Sequence, residues 1–560
     1  MNAKAILLAA VTSVAGAGAA LAATGPTAVA TFHCMGLYWS PEAGAADNMC
    51  RVRYRPIGSD AWNEALPLWL DGRGCEEELP QGNGATLPAE HCGQYRGSIV
   101  NLAPGTEYEV ELSLEKTGQR ASLRVRTWDE ELPVAETVTV RDGGKPLLID
   151  KSGSARGYIV YTHAPARETA TIDVRNGEKQ CVEVRASYVI IRGLTLKNAR
   201  EHGIRLFAGC HDVVIEGCDI SGWGRISDDG WGRNLDSAVY SREKDLARVV
   251  VQRNHIHHPR GDSNNWRENR PRPGKREPYH PQGAQAVYFS NSEGNHVIRY
   301  NTVFSDDDHQ YNDIFGAASN FSLRGFPNRD SDIYGNRLSH CWDDAIEAEG
   351  ANCNVRIWGN YTTDCFVSVA CASTSVGPLY VWRNVTDVMR VAPGDWGGGF
   401  LKTSDKMGGG RIFVFHNTVL QPVRVLPDGK TTVGARLGLG WGGPMINVTS
   451  RNNILHVKSV AIRDRAKDPL ADYDYDLYRG EIQAAEGHEK HGIEGEPIYA
   501  EGYGINESKG CLWLAPDSPG RDAALRLPNF NDDYTGNAPD IGAHEANTSA
   551  MQFGTDAYRR

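Results

Sequence analysis

The chain has no surplus of positive charge and no cysteine pattern for a structural metal. Its 59 lysines and arginines are outnumbered by 70 aspartates and glutamates, and the net charge is −11. That balance argues against nucleic acid as a partner, because nucleic-acid-binding proteins need a basic surface. The 12 cysteines include no CxxC pair and no Cys/His combination with zinc spacing. We therefore expect neither a nucleic-acid-binding protein nor a zinc protein.

Long apolar runs are also missing, apart from one at the N-terminus. Residues 5–22 are rich in Ala, Leu and Val, follow Lys4, and end in the small-x-small triplet Ala20-Leu21-Ala22. The pattern predicts a signal peptide over residues 1–22, and a membrane anchor is the alternative interpretation. No later segment is apolar enough to span a bilayer. We therefore expect a secreted or periplasmic protein that does not bind membranes and is a monomer.

A repeated template occupies most of the chain. Short apolar strands recur, each ends on a small or polar residue, and three of the spacings are 24 residues. Such a period predicts a solenoid in which stacked coils share one core; a β-sandwich with frequent turns is the alternative. We expect each aligned Asn to take a left-handed bend and to bond to the Asn one coil away. The aligned positions are Gly193, Gly217, Asn254, Asn301, Asn336, Asn360, Asn384, Asn417 and Asn453.

Residues 25–128 do not follow this template. They alternate between strand and turn patterns, and in NLAPGTEYEV the Tyr108 hydroxyl can bond back to the backbone near Leu102. With Trp39 on an early strand, the stretch resembles a fibronectin type III domain. Its insertion 72–93 predicts a disulfide-tied loop, and we expect the four cysteines of this region to pair among themselves without being able to assign the pairs. They are Cys34, Cys50, Cys75 and Cys92.

The end of the chain adds a second resemblance. The motifs SPGRDAA and PDIGAHE resemble the terminal coil of secreted bacterial β-helix proteins. Together with the repeat, residues 145–545 resemble the pectate-lyase-like superfamily. The expected fold is therefore all-β, with a right-handed parallel β-helix over 145–545 preceded by a small β-sandwich over 25–128. The resemblance implies activity on a polysaccharide but no particular reaction, because the superfamily includes lyases, hydrolases and adhesins.

The second strand of each coil carries an apolar residue followed by a larger or charged one. Alternation along a strand predicts that the apolar set points inward and the residue after it points outward. An outward column of aromatic and charged side chains would form an exposed surface on which sugars stack. The inward set is Ile204, Val239, Val287, Ile314, Ile346 and Leu401, and the outward set is Arg205, Tyr240, Tyr288, Phe315, Glu347 and Lys402.

Acidic residues are densest in CWDDAIEAEG. Like charges this close raise at least one pKa, which suits a general acid. Residues at i and i+2 lie roughly 6.5–7 Å apart, near the separation used by inverting glycosidases, and adjacent coils lie about 4.8 Å apart, nearer the retaining value. We expect Glu347 to be the acid of an acid–base pair; solvated turns or metal ligands are the alternatives. The candidate catalytic residues are Glu347, Asp343, Glu349, Asp313 and Asp344.

Two further segments carry candidate binding residues. The run Asp306, Asp307 and Asp308 offers calcium ligands, and His309 beside it is a candidate substrate-binding group. The insertion 258–283 is basic and carries Trp266, which suits an anionic polysaccharide by charge pairing and ring stacking. A hydrophilic turn and a solvated loop are the respective alternatives.

These residues favour a secreted glycoside hydrolase that needs no cofactor. The alternative enzyme is a polysaccharide lyase that uses Ca²⁺ with Lys402 or an arginine as base. Neither the Gly-His-Gly nor the Arg-Ile-Lys motif of polygalacturonase-like hydrolases occurs, so no residue role is carried over from that family. A non-catalytic carbohydrate-binding or adhesive surface protein is the third hypothesis.

Overall fold

A computed structural model describes most of the chain, and the predicted signal peptide lies outside the described residues. So does part of the basic insertion, residues 269–279. The helical elements in the described chain are two short 3-10 turns, Ala89–His91 and Gly554–Ala557. Within it, no helix is long and apolar enough to cross a bilayer. The described ranges are 24–79, 85–268, 280–387, 389–394, 396–404, 406–420, 424–425, 431–432, 436–500 and 512–557.

The N-terminal region is an antiparallel sheet of seven strands. Along the sheet the strands run in the order first, second, fifth, fourth, third, sixth, seventh. Alternate residues of these strands, including Trp39, Tyr95 and Tyr108, form a separate core. The Tyr108 hydroxyl accepts a hydrogen bond from the Ala103 amide at 2.9 Å, as expected from the sequence. The strands are Thr24–Ala30, Met35–Ser40, Cys50–Pro56, Asn63–Leu70, Tyr95–Ile99, Glu107–Leu114 and Arg120–Arg126.

The cysteine prediction for this region is half right. Cys75 and Cys92 form a disulfide across the predicted loop. Cys34 and Cys50 are buried free thiols, because each lies within its own core and not beside another cysteine. The presence of four cysteines in one region therefore did not determine which of them form a disulfide.

The repeat forms a parallel β-helix, as the sequence predicted. One of its faces, called face 1 here, is a sheet of twelve parallel strands. In the coils that carry a predicted position, from Gly193 to Asn453, the face 1 strand comes just before that position. The strands of face 1 are Val134–Thr139, Tyr158–Thr162, Val189–Arg192, His211–Glu216, Ala247–Gln252, Val297–Arg299, Asp332–Tyr334, Val355–Trp358, Leu379–Trp382, Ile412–Phe415, Val448–Arg451 and Asp472–Asp474.

The other two faces belong to one sheet of twenty strands. Face 2 is the ladder that follows the Asn position, and face 3 is the ladder that follows face 2. Four long strands run through both: Arg337–Glu347, Tyr361–Ala370, Ile454–Arg463 and Leu477–Gln483. The remaining strands of face 2 are Ala170–Asp173, Leu194–Lys197, Asp219–Ser221, His255–His257, Thr302–Phe304, Val385–Thr386, Thr418–Val419 and Ile493–Glu494; those of face 3 are Leu147–Ile149, Gln180–Val184, His202–Leu206, Ser237–Ser241, Gln285–Phe289, Phe315–Gly316, Gly399–Lys402 and Leu437–Trp441.

Two short hairpins project from the β-helix. One pairs Val391–Ala392 with Trp396–Gly397, and the other pairs Arg424–Val425 with Thr431–Thr432. The first hairpin leads directly into the face 3 strand Gly399–Lys402.

A ladder of asparagines runs through the β-helix between face 1 and face 2, as predicted. Each side-chain amide donates to the side-chain oxygen of the next rung at 2.9–3.0 Å, and that oxygen also accepts from the backbone N–H of the donor residue. Asp476 ends the ladder by accepting from Asn453. The rungs are Asn254, Asn301, Asn336, Asn360, Asn384, Asn417 and Asn453, and all are at most 1% exposed.

The left-handed bend lies one residue earlier than expected. The residue before each rung, for example Gly335, Gly359 or Arg383, has a φ of 50–64°. Gly193 and Gly217 belong to this bend column, with φ of 65° and 60°, and not to the ladder. Because the bend residue turns the chain, the Asn that follows keeps its side chain inside for hydrogen bonding.

The N-terminal sheet packs on face 1 through polar contacts. The Tyr38 hydroxyl donates to Asp330 at 2.8 Å, and Thr31 bonds to Asp332. Arg96, with no exposed surface, donates to the carbonyls of Val376 and Gly377 at 2.8 and 3.0 Å, just before the face 1 strand Leu379–Trp382. Face 1 is thus covered along these coils.

The C-terminal segment does not add a coil. Residues 512–557 form no β-strand and run back along earlier coils. Gly542 donates to the Asn452 carbonyl at 2.8 Å, and Gly554 donates to the Gly335 carbonyl at 2.8 Å. The motif that resembled a terminal coil is therefore a strap over the bend column.

Replacing one rung should strongly destabilise the fold. Asn360→Ala removes the acceptor of the Asn336 N–H and the donor to the Ile333 carbonyl, both buried. We expect a loss of about 3 kcal/mol in the free energy of unfolding, measured by denaturant titration. The exposed Asn63→Ala is the control and should change it by less than about 0.5 kcal/mol. Equal values for the two variants would contradict the role of the ladder.

Candidate functional site

The outer side of face 3 carries the predicted column, with one correction. Pairing continues from Val239 to Val287, Phe315 and Ile346, so Phe315 points inward and is fully buried. The expectation that Ile314 points inward and Phe315 outward at this coil is wrong by one residue, because a slip of one exchanges the two sides of a strand. The outward column is Glu183, Arg205, Tyr240, Tyr288, Gly316, Glu347, Ala370, Lys402 and Trp441.

The tyrosines of this column do not form an exposed groove. Tyr240 and Tyr288 are 8% and 1% exposed. Their rings stack at 4.9 Å, and His202 stacks on Tyr240 at 3.7 Å. The prediction of an exposed aromatic surface is therefore wrong, because these rings are buried by stacking on one another.

A β-bulge brings the carboxylates of two neighbouring residues to one place. Cys341 pairs with Cys365 and Asp344 with Val367, so the strand Arg337–Glu347 holds one residue more than its partner over this stretch. A bulge re-aims the side chains that follow it. As a result Asp343 and Asp344, which simple alternation places on opposite sides, both contact Lys402 two coils away.

Lys402 is surrounded by acidic groups. Its Nζ lies 2.6 Å from Asp344 Oδ2, 3.3 Å from Asp343 Oδ1 and 3.6 Å from Glu349 Oε1, and its side chain is 13% exposed. His280 Nε2 lies 3.2 Å from the other oxygen of Asp343, and the His280 side chain is half exposed. The lysine thus lies between the buried carboxylates and the solvent.

Three of the acids converge on one another beside Lys402. One carboxylate oxygen each of Asp313, Asp344 and Glu347 lies within 4.8 Å of the others, and all three side chains are buried. The two oxygens of Glu347 accept hydrogen bonds from the Ala317 N–H at 3.1 Å and from Asn320 Nδ2 at 2.8 Å. This trio is the one group of three potential metal ligands in the described parts of the chain.

Hydrogen bonds also fix Asp313. Its Oδ2 accepts from Gln285 Nε2 and from Asn312 Nδ2, both at 2.8 Å, and its Oδ1 accepts from the Asp344 N–H at 3.1 Å. Gly316 leaves the space that Glu347 needs, because a Cβ there would collide with Glu347 Oε2. The trio therefore depends on the side-chain amides of Gln285 and Asn312, on the small size of Gly316 and on the bulge before Asp344.

Burial and mutual repulsion make these carboxyls reluctant to ionise. Burial and Asp343 raise the pKa of Asp313 to about 7. Burial, with neighbouring carboxylates, holds the pKa of Asp344 and of Glu347 well above their usual values. Conversely, Asp343, Asp344 and Glu349 together hold the pKa of Lys402 above its usual value despite burial. The single positive charge of Lys402 therefore does not balance the negative charge that the surrounding carboxyl groups would carry if all were ionised.

Buried oxygen atoms without a hydrogen-bond partner indicate a cation site. Asp344 Oδ1, Asn312 Oδ1 and Gln285 Oε1 are buried with no hydrogen-bond partner among the described residues. Buried acceptors without donors are costly, and a hard divalent ion such as Ca²⁺ satisfies several oxygens at once. Carboxylates of Asp313, Asp344 and Glu347 beside amide oxygens are a donor set that fits Ca²⁺.

The other predicted site residues lie outside this cluster. Arg205 is four coils from Glu347 along the column, or about 19 Å, and its guanidinium stacks on Phe207. Asp306 pairs with His258 and Asp307 with Arg390, and Asp308 does not join them in a set of convergent ligands. His309 lies beside His258. The structure thus offers the trio, and not Asp306–Asp308, as a metal site.

Trp266 lies close to the cluster, and it has companions that the sequence did not single out. Its ring lies 4.9 Å from that of His280, which contacts Asp343. Trp396 and Trp441 pack against Trp266 at 5.3 and 5.9 Å. A signal for Trp441 was available in principle, because LGLGW continues the face 3 template one coil beyond Lys402.

Neutralising one buried acid should stabilise the protein when divalent ions are removed. The raised pKa of Asp344 means that, above about pH 4, the folded state keeps a proton that the unfolded chain loses, so stability falls as pH rises. In Asp344→Asn the amide nitrogen can take the place of the unpartnered Oδ1. With a chelator present, we expect a gain on the order of 1–2 kcal/mol at pH 8 and none at pH 4. Thermal unfolding at both pH values tests this; a loss at pH 8 would contradict it.

Comparison with known proteins supports the fold. Residues 180–382 match the family model described as "Right handed beta helix region". No curated protein sequence matches the chain. The crystal structure of pectate lyase Pel9A is similar at 14% identity and a TM-score of 0.38, over 74% of this chain and 87% of that one. The match of the family model to residues 180–382, together with the parallel coils described above, identifies the fold as a right-handed parallel β-helix.

Proposed function

We propose that this protein is a polysaccharide lyase that cleaves a uronate-containing polysaccharide by β-elimination, with Lys402 as the base. The observation that carries the proposal is the position of Lys402 Nζ, 2.6 Å from Asp344 and beside a buried trio of carboxylate oxygens spaced for a cation. A base next to a cation site is the arrangement that elimination from a uronate requires.

The chemistry assigns the two parts of the site different tasks. In the elimination a base removes the proton on the carbon α to the uronate carboxyl. The bond from the β carbon to the glycosidic oxygen breaks as the double bond forms, and that oxygen takes up a proton from the protonated base or from water. The proton is acidic only when the carboxylate charge is neutralised. Ca²⁺ held by Asp313, Asp344 and Glu347 would supply that neutralisation by binding the substrate carboxylate.

Lys402 must lose its proton to act. The surrounding carboxylates oppose this, because they raise the pKa of the ammonium. Carboxylates engaged with a cation attract the ammonium less, and a cation nearby repels it, so the pKa of Lys402 falls when the trio is occupied. The Lys402 side chain is 13% exposed, so part of it faces the side from which a substrate would approach.

A glycoside hydrolase is the second candidate function. In its favour, burial and the neighbouring carboxylates raise the pKa of Glu347, as a proton donor requires. Against it, both oxygens of Glu347 accept bonds from Ala317 and Asn320, which favour the ionised form and fix it. The Asp313, Asp344 and Glu347 oxygens also converge as a group of three within 4.8 Å, whereas a glycosidase uses one pair of carboxyl groups on either side of the bond it cleaves.

The proposal includes export of the protein. The apolar N-terminal run with its Ala20-Leu21-Ala22 triplet supports secretion or a periplasmic location, where a polysaccharide substrate is accessible. In this proposal the protein acts as a monomer with the polysaccharide as its partner.

Removing the amine of Lys402 should abolish elimination. Lys402→Met keeps the length of the side chain, and we expect turnover to fall at least about a hundredfold, because a general base contributes that much. The assay follows the ultraviolet absorbance of the unsaturated sugar over a panel of uronate polymers. Lys406→Ala, an exposed lysine nearby, is the control and should retain activity. New reducing ends without absorbance would instead establish hydrolysis, and binding without either product would establish the adhesive hypothesis.

Calcium should bind at the trio and be required for activity. Chelation should abolish turnover and Ca²⁺ should restore it. In calorimetric titrations of the full chain, Asp344→Asn should weaken Ca²⁺ binding at least about tenfold, because it removes a charged ligand. Asp307→Asn, whose carboxylate is exposed, is the control for the acidic run and should bind normally. Normal binding by Asp344→Asn with weakened binding by Asp307→Asn would place the ion at the acidic run and contradict the assignment.

A further inference from the structure

Four aromatic side chains from separate segments meet beside Lys402, and they are called the tryptophan cluster here. Trp266 comes from the insertion 258–283, Trp396 from the hairpin before face 3, Phe366 from a face 3 strand, and Trp441 from the strand beyond Lys402. Their ring centroids are 5.3–6.1 Å apart in every pair. Segments far apart in sequence thus converge on one place.

The coil register fixes the cluster next to the proposed site. Trp441 pairs with Lys402, so it lies on the adjacent coil in the same outward column, about 4.8 Å away along the axis. Phe366 lies one coil beyond the bulge that carries Asp343. His280 connects the two sets, because it contacts both the Trp266 ring and Asp343.

Small residues allow this arrangement. A Cβ on Gly398 would collide with the Phe366 carbonyl, so the hairpin bearing Trp396 reaches the strand only because residue 398 is glycine. A Cβ on Gly399 would come within 3.0 Å of the Trp441 side chain. The Trp441 indole N–H donates to the Gly397 carbonyl at 3.2 Å, which fixes the ring against the hairpin.

The tryptophan cluster is not a closed core, and one of its hydrogen-bond donors has no acceptor among the described residues. The three indoles are partly exposed, unlike Phe366 beneath them. The indole N–H of Trp266 is buried and has no acceptor among the described residues. The exposed Arg267 guanidinium lies over the Trp396 ring at 4.7 Å. An open aromatic surface, an unpaired donor and a cation therefore occur together.

These features match one sugar ring of an acidic polysaccharide. The C–H face of a pyranose stacks on the exposed parts of the indoles, and a uronate carboxylate can pair with Arg267. We propose that the tryptophan cluster is a subsite that holds the sugar adjacent to the one processed at Lys402, and that it selects uronate polymers over neutral ones. The adjacency to a cleavage site rests on the proposed function; the binding of an acidic glycan does not.

The test separates binding from turnover. The full chain carrying Lys402→Met is titrated calorimetrically with polygalacturonate, alginate and neutral dextran. We expect a uronate polymer to bind and dextran not to bind. Added Trp441→Ala or Trp266→Ala should weaken that binding about tenfold, as loss of a stacked ring does, and Trp441→Phe should restore most of it. Trp62→Ala removes a tryptophan that stacks under Arg53 and Arg55 in the N-terminal sheet and is the matched control.

The outcomes distinguish this proposal from the function on which it rests. Melting temperatures of all variants identify any loss of fold, and Trp441→Phe keeps the test valid if an alanine variant unfolds. Unchanged uronate binding in both alanine variants, equal binding of dextran, or no binding of any polymer would each overturn the subsite, even if the wild-type protein forms unsaturated product. Weakened binding in these variants without any unsaturated product would support the subsite and overturn the lyase proposal.

Discussion

The buried asparagine ladder sets the register on which the rest of the β-helix depends. Each rung satisfies a backbone N–H and a backbone carbonyl of neighbouring coils, as Asn360 does for Asn336 and Ile333. A coil that slipped by one residue would leave these buried groups without partners. The same slip would turn Glu347 and Lys402 towards the core. The ladder on one side of the β-helix therefore fixes the order of side chains on face 3.

Given that register, local exceptions create the site. The bulge after Cys341 adds Asp343 to the side where Asp344 contacts Lys402. Gly316 and Ala370, the neighbours of Glu347 in the outward column, leave room for its carboxylate. Five buried acids beside one lysine are unfavourable for folding, and such a cost at one place is typical of a functional site. The stacked coils, with their continuous apolar core, stabilise the fold enough to tolerate it.

The N-terminal region is attached to the β-helix through contacts with charged groups of face 1. Arg356 and Asp332 of face 1, both fully buried, pair at 2.5 Å, and Thr31 of the N-terminal region bonds to Asp332. Arg299 of face 1 pairs at 2.6 Å with Glu130, which follows the last strand of the N-terminal sheet. Replacing one partner of such a pair leaves an uncompensated buried charge. These contacts therefore favour a single docking geometry and add little to the free energy of unfolding. Because they lie on face 1, the sheet covers that face and leaves the outer side of face 3 to the aromatic and acidic residues.

The sequence by itself determined the coils. The template strands and the Asn column identified the β-helix, because the period of a solenoid is local and repeats. Strand parity and coil spacing also predicted that Asp343, Glu347, Glu349 and Asp313 lie close together, whereas the position of Asp344 beside Asp343 depends on the bulge. The sequence predicted a disulfide-tied loop over residues 72–93 without assigning its pair, and Cys75 with Cys92 is the disulfide that the structure shows.

Only the tertiary structure decided where that regularity fails. A one-residue slip turned Phe315 inward, and the bend column displaced Gly193 and Gly217 from the ladder. Packing buried Tyr240 and Tyr288. The contact of Lys402 with both Asp343 and Asp344 depends on a bulge. The contacts among Trp266, Trp396 and Trp441 depend on an inserted loop and a hairpin that reach the strand Leu437–Trp441. Periodicity predicts what repeats, whereas bulges and inserted loops are single events whose geometry is fixed by contacts distant in sequence.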